Sequence, residues 1–93
     1  MAIRVRLPVT LRDLPGAKAV VTLAGEPGTV ADAFAALWRE LPSLRDRIVT
    51  ETGEVREHVQ VFVGVESIRY TGGLATAVPD GTEISLVPAV SGG

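Results

Sequence analysis

One stretch of this chain carries a helical stripe, and it constrains everything around it. Val30, Phe34, Leu37, Trp38 and Leu41 fall at i, i+4, i+7, i+8 and i+11, which puts five apolar side chains on one side of a three-turn helix. Thr29, followed three residues later by Asp32, is a capping pattern after the breaker run GEPGT, and Pro42 closes the segment. A helix with one apolar stripe can cover one face of one sheet. The rest of the chain is therefore expected to supply that sheet.

The flanking segments read accordingly. Ile3, Val5 and Leu7 alternate with Arg4 and Arg6, the period-two pattern of a strand with one face buried and one wet, and Pro8 limits further pairing. A turn around Leu14-Pro15-Gly16 leads into AKAVVTLA, rich in β-branched residues, so the two segments form an N-terminal hairpin. After the helix, LPSLRDRIV adds a short helical turn whose Leu44 and Ile48 cover the end of the core. Thr50 to His58 read as a loop or loose hairpin. Val59, Val61 and Val63 alternate with Gln60 and Phe62 in a third strand, followed by a turn near Gly64 and a short strand from Ser67 to Arg69. TGGLATAV reads as coil with Leu74 and Val78 tucked under the sheet. Pro79-Asp80-Gly81 carries turn chemistry. In the last strand, Glu83 to Pro88, Ile84 and Leu86 alternate with Glu83 and Ser85. This order predicts an α+β fold, a mixed sheet with one main helix packed across one face. It suits the β-grasp (ubiquitin-like) arrangement, in which the first and last strands lie side by side at the centre. The expected organisation is a β-grasp domain over residues 1–88 and a flexible C-terminal tail over 89–93 ending Gly-Gly.

Composition removes several function classes. A chain of 93 residues is one domain, which buries only about 60 to 65% of its unfolded surface. With 46% apolar and 22% charged residues it has the make-up of a chain that folds alone. A formal net charge of −2 offers no basic footprint for nucleic acid. The absence of cysteine excludes disulfides, thiolate metal sites and a thiol nucleophile. No stretch approaches the ~18 apolar residues of a membrane span, and MAIRVRLPVT lacks the apolar run of a signal peptide, so a cytoplasmic protein is expected.

Internal catalysis finds little support. His58 is the sole histidine, at a loop-to-strand boundary, where a solvated or core-edge role is the expected one. Gly72-Gly73 lacks the spacing and the Lys-Ser/Thr of a phosphate loop and reads as a structural turn. Asp32 suits the positive end of the helix dipole, Glu51, Glu54 and Glu57 sit in a polar loop, and Arg39, Arg45 and Arg47 read as a solvated face favouring the helix C-terminus. Phe62 is more telling. With Val59, Val61 and Val63 facing the helix, Phe62 and Val87 point to the open side of the sheet as a candidate patch for a partner.

The chain ends VPAVSGG. Glycine costs most to order, so a terminal pair should fray unless another molecule holds it. A carboxylate on Gly93, with no Cβ at Gly92 or Gly93, is the least hindered acyl group a protein can present, and it can be threaded into a narrow active site. There an activating enzyme can convert it to an acyl adenylate, which a sulfur nucleophile can displace. Pro88 stiffens the exit, while Ala89, Val90 and Ser91 are small enough to pass a channel.

The LVP strand with its AVSGG ending, the element order and the lack of cysteine together resemble the ubiquitin-like sulfur carriers of the ThiS and MoaD type, over essentially the whole chain. The run IRYTGGLATAVPDGTEISLVPAVSGG, with LPVTLR near the start and a VFV strand before it, looks like the CysO branch, whose carriers supply sulfur for cysteine synthesis. The resemblance implies that Gly93 is adenylated by an ATP-using activating enzyme and becomes a thiocarboxylate that donates sulfide to a partner, with Gly92 as the slender penultimate residue. It implies a pyridoxal-phosphate cysteine synthase as acceptor and a zinc peptidase that trims the added amino acid. Those cofactors would belong to the partners, with none bound by this chain. A molybdopterin- or thiamine-pathway carrier, a ubiquitin-like modifier that forms isopeptide bonds, and a plain interaction module using the Phe62 face stay open beside it.

Overall fold

The computed structural model describes residues 3–12, 18–23, 25 and 28–88, so the turn expected at Leu14-Pro15-Gly16 and the tail 89–93 lie outside the described residues. The elements in chain order are β1 (Ile3–Arg6), β2 (Val20–Leu23), α1 (Val30–Glu40), α2 (Arg45–Ile48), β3 (Val59–Val63), β4 (Glu66–Ser67) and β5 (Glu83–Pro88). The strands make one five-stranded sheet in the order β2-β1-β5-β3-β4. β1 and β5 run parallel at its centre, and the remaining pairs are antiparallel. The mixed sheet, the helix across it and the central pair are as the alternation and the single stripe predict.

Register follows from which side chains must leave water. Val5 lies opposite Ile84, Val61 opposite Leu86 and Val63 opposite Ile84, so the apolar residues of three strands share one face. Against them α1 sets Val30, Ala33, Phe34 and Leu37, all buried, while the Trp38 ring stays half-buried and tilts against Phe34 at 5.2 Å. Leu44 and Ile48 are fully buried and close the end of the core. Each such aliphatic side chain contributes about 1.5–3 kcal/mol by leaving water.

The start of α1 is held from two sides. The Asp32 N–H donates to Thr29 Oγ1 at 3.2 Å, the expected cap. A second free helix donor, the Val30 N–H, goes to Thr76 O at 3.0 Å, and Val78 N–H donates to Gly28 O at 3.0 Å. Gly72-Gly73 is thus a structural turn, with φ of 119° and 62°, that folds the following threonine under the helix. Thr76 is buried, and its hydroxyl donates to Gly73 O at 2.7 Å.

Thr50 to His58 resolve into a tight hairpin: Val49 bridges Val55, Thr50 N–H donates to Glu54 O at 2.8 Å, and Gly53 takes φ of 87°. One expectation is corrected. The short strand placed at Ser67 to Arg69 is instead β4 over Glu66–Ser67, and the chain turns into a 3-10 helix from Ile68 to Tyr70. Ser67 Oγ accepts the Arg69 N–H, which ends strand pairing locally, and Ile68 drops into the core.

β3 and β4 join through Gly64 and Val65. Gly64 has φ of 63°, while no non-glycine among the described residues has a positive φ, the pattern of a type II′ turn. Gly64→Ala is expected to lower stability by about 1–2 kcal/mol, because a Cβ there crowds its own backbone. Thermal melts should register this as a fall of about 4–8 °C per kcal/mol, whereas Val65→Ala, at a 93% exposed side chain, should leave the midpoint almost unmoved.

Candidate functional site

The sheet face away from α1 is assembled by register. Arg4 lies opposite Glu83, Arg6 and Phe62 lie opposite Ser85, and Gln60 lies opposite Val87. Cross-strand partners share a face, so these side chains form one surface with Ser67, the partner of Phe62 on β4. The structure therefore places Phe62 and Val87 on the open side together, as diagonal neighbours with Gln60 and Ser85 between them. Val87 is 39% exposed and Phe62 is half-buried, which makes the patch small and edged by polar groups.

Its charged flank is locked. Arg6 Nε donates to Glu83 Oε1 at 2.7 Å and Arg6 Nη2 to Oε2 at 3.4 Å, a forked contact across the parallel pair. That hydrogen bond holds the Glu83 carboxyl below its ordinary value; partial burial opposes the shift, while the charges of Arg6 and Arg4 and a hydrogen bond from Ser85 add to it. Arg6 is held above its own ordinary value by the same bond and charge.

The other sequence candidates stay apart from this face. His58 is exposed at the start of β3, and Arg39 closes α1. Arg45 pairs with the neighbouring Asp46 at 3.5 Å, and Arg47 projects from α2. Among the described residues no group of three or more histidine or acidic side chains is placed to hold a metal ion, and no helix is long and apolar enough to cross a membrane. Val90, Ser91, Gly92 and Gly93, the residues read as tail and acyl site, lie outside the described residues. The last described residue before them is Pro88, which ends the strand hydrogen-bonded to both β1 and β3.

Sequence reasoning missed a hollow beside this exit. Pro8 and Leu11 reach it from the turn after β1, His58 and Val59 from β3, and Val87 and Pro88 from β5. No single segment carries a signal for it, because it exists only once those elements meet. Leu11, apolar just beyond a strand-ending proline, is the nearest thing to a hint.

The chain was compared with known proteins. The model of the ThiS family matches residues 5–93. Small archaeal modifier protein 3 of Haloferax volcanii is 33% identical over 93 residues, covering 100% of both chains. The sulfur carrier protein CysO of Mycobacterium tuberculosis is 30% identical over 95 residues, again covering 100% of both. Among solved structures, a chain of the Amycolatopsis orientalis BexX/CysO complex superposes with a TM-score of 0.85 at 30% identity, covering 99% of this chain and 100% of that one.

The Glu83 contact has a measurable signature. A carboxyl held below its ordinary pKa contributes stability that is present above the unfolded value and is lost as pH falls through the folded one. Denaturant titrations should therefore find Glu83→Gln slightly less stable than wild type at neutral pH, with the gap closing as pH falls below 4.5. Raised salt should shrink the gap, since both side chains are partly exposed.

Proposed function

The chain belongs to the ThiS family, and from that premise we propose that it is a sulfur carrier, a protein cosubstrate rather than an enzyme. In this reading the folded domain is residues 1–88, and residues 89–93 are the tail it delivers, in the cytoplasm, to other enzymes. The Gly93 carboxylate attacks the α-phosphorus of ATP on an activating enzyme, pyrophosphate leaves, and an acyl adenylate forms. A sulfur nucleophile then attacks the acyl carbon and expels AMP, leaving a thiocarboxylate whose sulfur passes to an acceptor enzyme. Gly92, Ser91 and Val90 thread the channel. ATP belongs to the activating enzyme. Cysteine synthesis is the preferred destination, with a pyridoxal-phosphate synthase as acceptor and a zinc peptidase to release the product.

The observation that carries this reading is the full-length relation to CysO, named a sulfur carrier. The fold supports it: β5 is paired with β1 over Glu83 to Ser85 and with β3 as far as Pro88, so the residues that follow start from a strand held in the sheet. The Phe62 and Val87 face lies beside that point and is proposed as the surface an activating enzyme grips. A neighbouring structure is that of a complex between CysO and a second protein, BexX, which supports docking as the working mode.

A second reading rests on the relation to small archaeal modifier protein 3. One activated acyl group can meet sulfide or an amine, and with a lysine amine the product would be an isopeptide conjugate.

Intact-mass analysis after incubation with an activating enzyme, ATP and sulfide should show one carboxylate oxygen exchanged for sulfur, and deletion of Gly93 should abolish the shift. A shift that survives the deletion would falsify the assignment of the acyl site. Higher-mass lysine conjugates that depend on Gly93 would select the modifier reading. Separately, Phe62→Ala should weaken binding to the activating enzyme by about tenfold or more while the far-UV spectrum stays native, because truncating an interfacial aromatic costs of order 1–2 kcal/mol.

A further inference from the structure

The hollow at the strand exit has a chemistry that the tail reaction does not use. It has a volume of about 290 Å³ and its lining is mainly apolar. Leu11, Val59 and Leu86, all core residues, form its floor, and the exposed Pro88 forms the wall from which the tail departs. Val87 belongs both to this hollow and to the open face, so the two surfaces join around the end of the sheet.

Its rim carries a guanidinium and an imidazole in a chain whose formal net charge is −2. Arg47 and His58 both line the hollow and both are exposed. Four other arginines are engaged within the chain. Arg6 pairs with Glu83 and Arg45 with Asp46, Arg56 donates to Asp46 O, and Arg12 donates to Leu7 O. Among the described residues no carboxylate pairs with Arg47 or His58. An apolar floor beneath two uncommitted N–H donors matches a group that is apolar at one end and anionic at the other. Overall charge would repel an acidic partner weakly at long range, so local complementarity here sets which way round it docks.

We infer that this hollow is a docking site for the activating enzyme, receiving an extended acidic segment of it in which an apolar side chain is flanked by Asp or Glu. The apolar side chain sits on Leu11, Val59 and Leu86, and the carboxylate meets Arg47 and His58. Engagement at this point grips the carrier at the root of the tail, so the tail enters the enzyme's channel from a fixed origin. The inference rests on the sulfur-carrier reading and adds the anchor that orients the carrier during activation.

The test is steady-state thiocarboxylation by the activating enzyme with ATP and sulfide, with the full-length carrier varied. Arg47→Glu should raise the KM for the carrier by about tenfold with kcat little changed, and the rise of KM with salt expected of wild type should be lost in it. Arg69→Glu makes the same charge change at an exposed site beyond β4 and should leave KM within about twofold of wild type. Melting curves should find both variants folded, since each replaces an exposed side chain. An Arg47→Glu carrier with wild-type KM overturns the docking site alone, as does an Arg69→Glu carrier impaired to the same degree, which would indicate general charge steering. A wild-type carrier that is never thiocarboxylated overturns the carrier reading itself, and the docking site with it.

Discussion

The pairing of β5 between β1 and β3 is the constraint on which the rest of this molecule depends. One strand completes a parallel ladder on one side and an antiparallel ladder on the other, and its Ile84 and Leu86 sit at the middle of the apolar face. A one-residue slip of β5 would send both into water and turn Glu83 and Ser85 inward. Such a slip would also take Val87 off the open face and break the forked contact between Arg6 and Glu83. Core, open face and the position of Pro88 at the end of the strand are thus set by one register.

The helix is tied to the same strand through an indirect route. The segment from Gly72 to Val78 gives its Thr76 carbonyl to the first turn of α1, takes the Gly28 carbonyl through Val78, and then leads by the turn at Pro79 to Gly81 into β5. Gly81, with φ of 78°, and the bond from Thr82 N–H to Pro79 O make that turn tight. The helix entry and the start of β5 are therefore placed by a single short stretch of chain, which explains why it carries two consecutive glycines and a buried threonine.

What could be read from the residues alone was whatever has a period. The stripe from Val30 to Leu41 and the alternation in β1, β3 and β5 reported both element type and buried face, and with them the side on which Phe62 and Val87 lie. Features set by non-periodic contacts were harder. Ser67 to Arg69 is expected as a strand, but one serine capping bond and the burial of Ile68 turn it into a 3-10 helix. Thr50 to His58 carried no apolar pattern, yet Gly53 and Thr50 close it into a hairpin. The hollow beside Pro88 was beyond reach, since its lining comes from residues as far apart as Pro8 and Val87 and depends on the sheet order that joins them.

The parallel alignment of β1 and β5 has a mechanical corollary. The chain enters β1 at one end of this ladder and leaves β5 at the other, so tension applied between the two runs along the strands. Such a load shears the central hydrogen bonds together instead of peeling them one after another. A load applied between Ile3 and Pro88 thus meets a ladder that yields only as a unit, and the sheet holds until that whole ladder gives way.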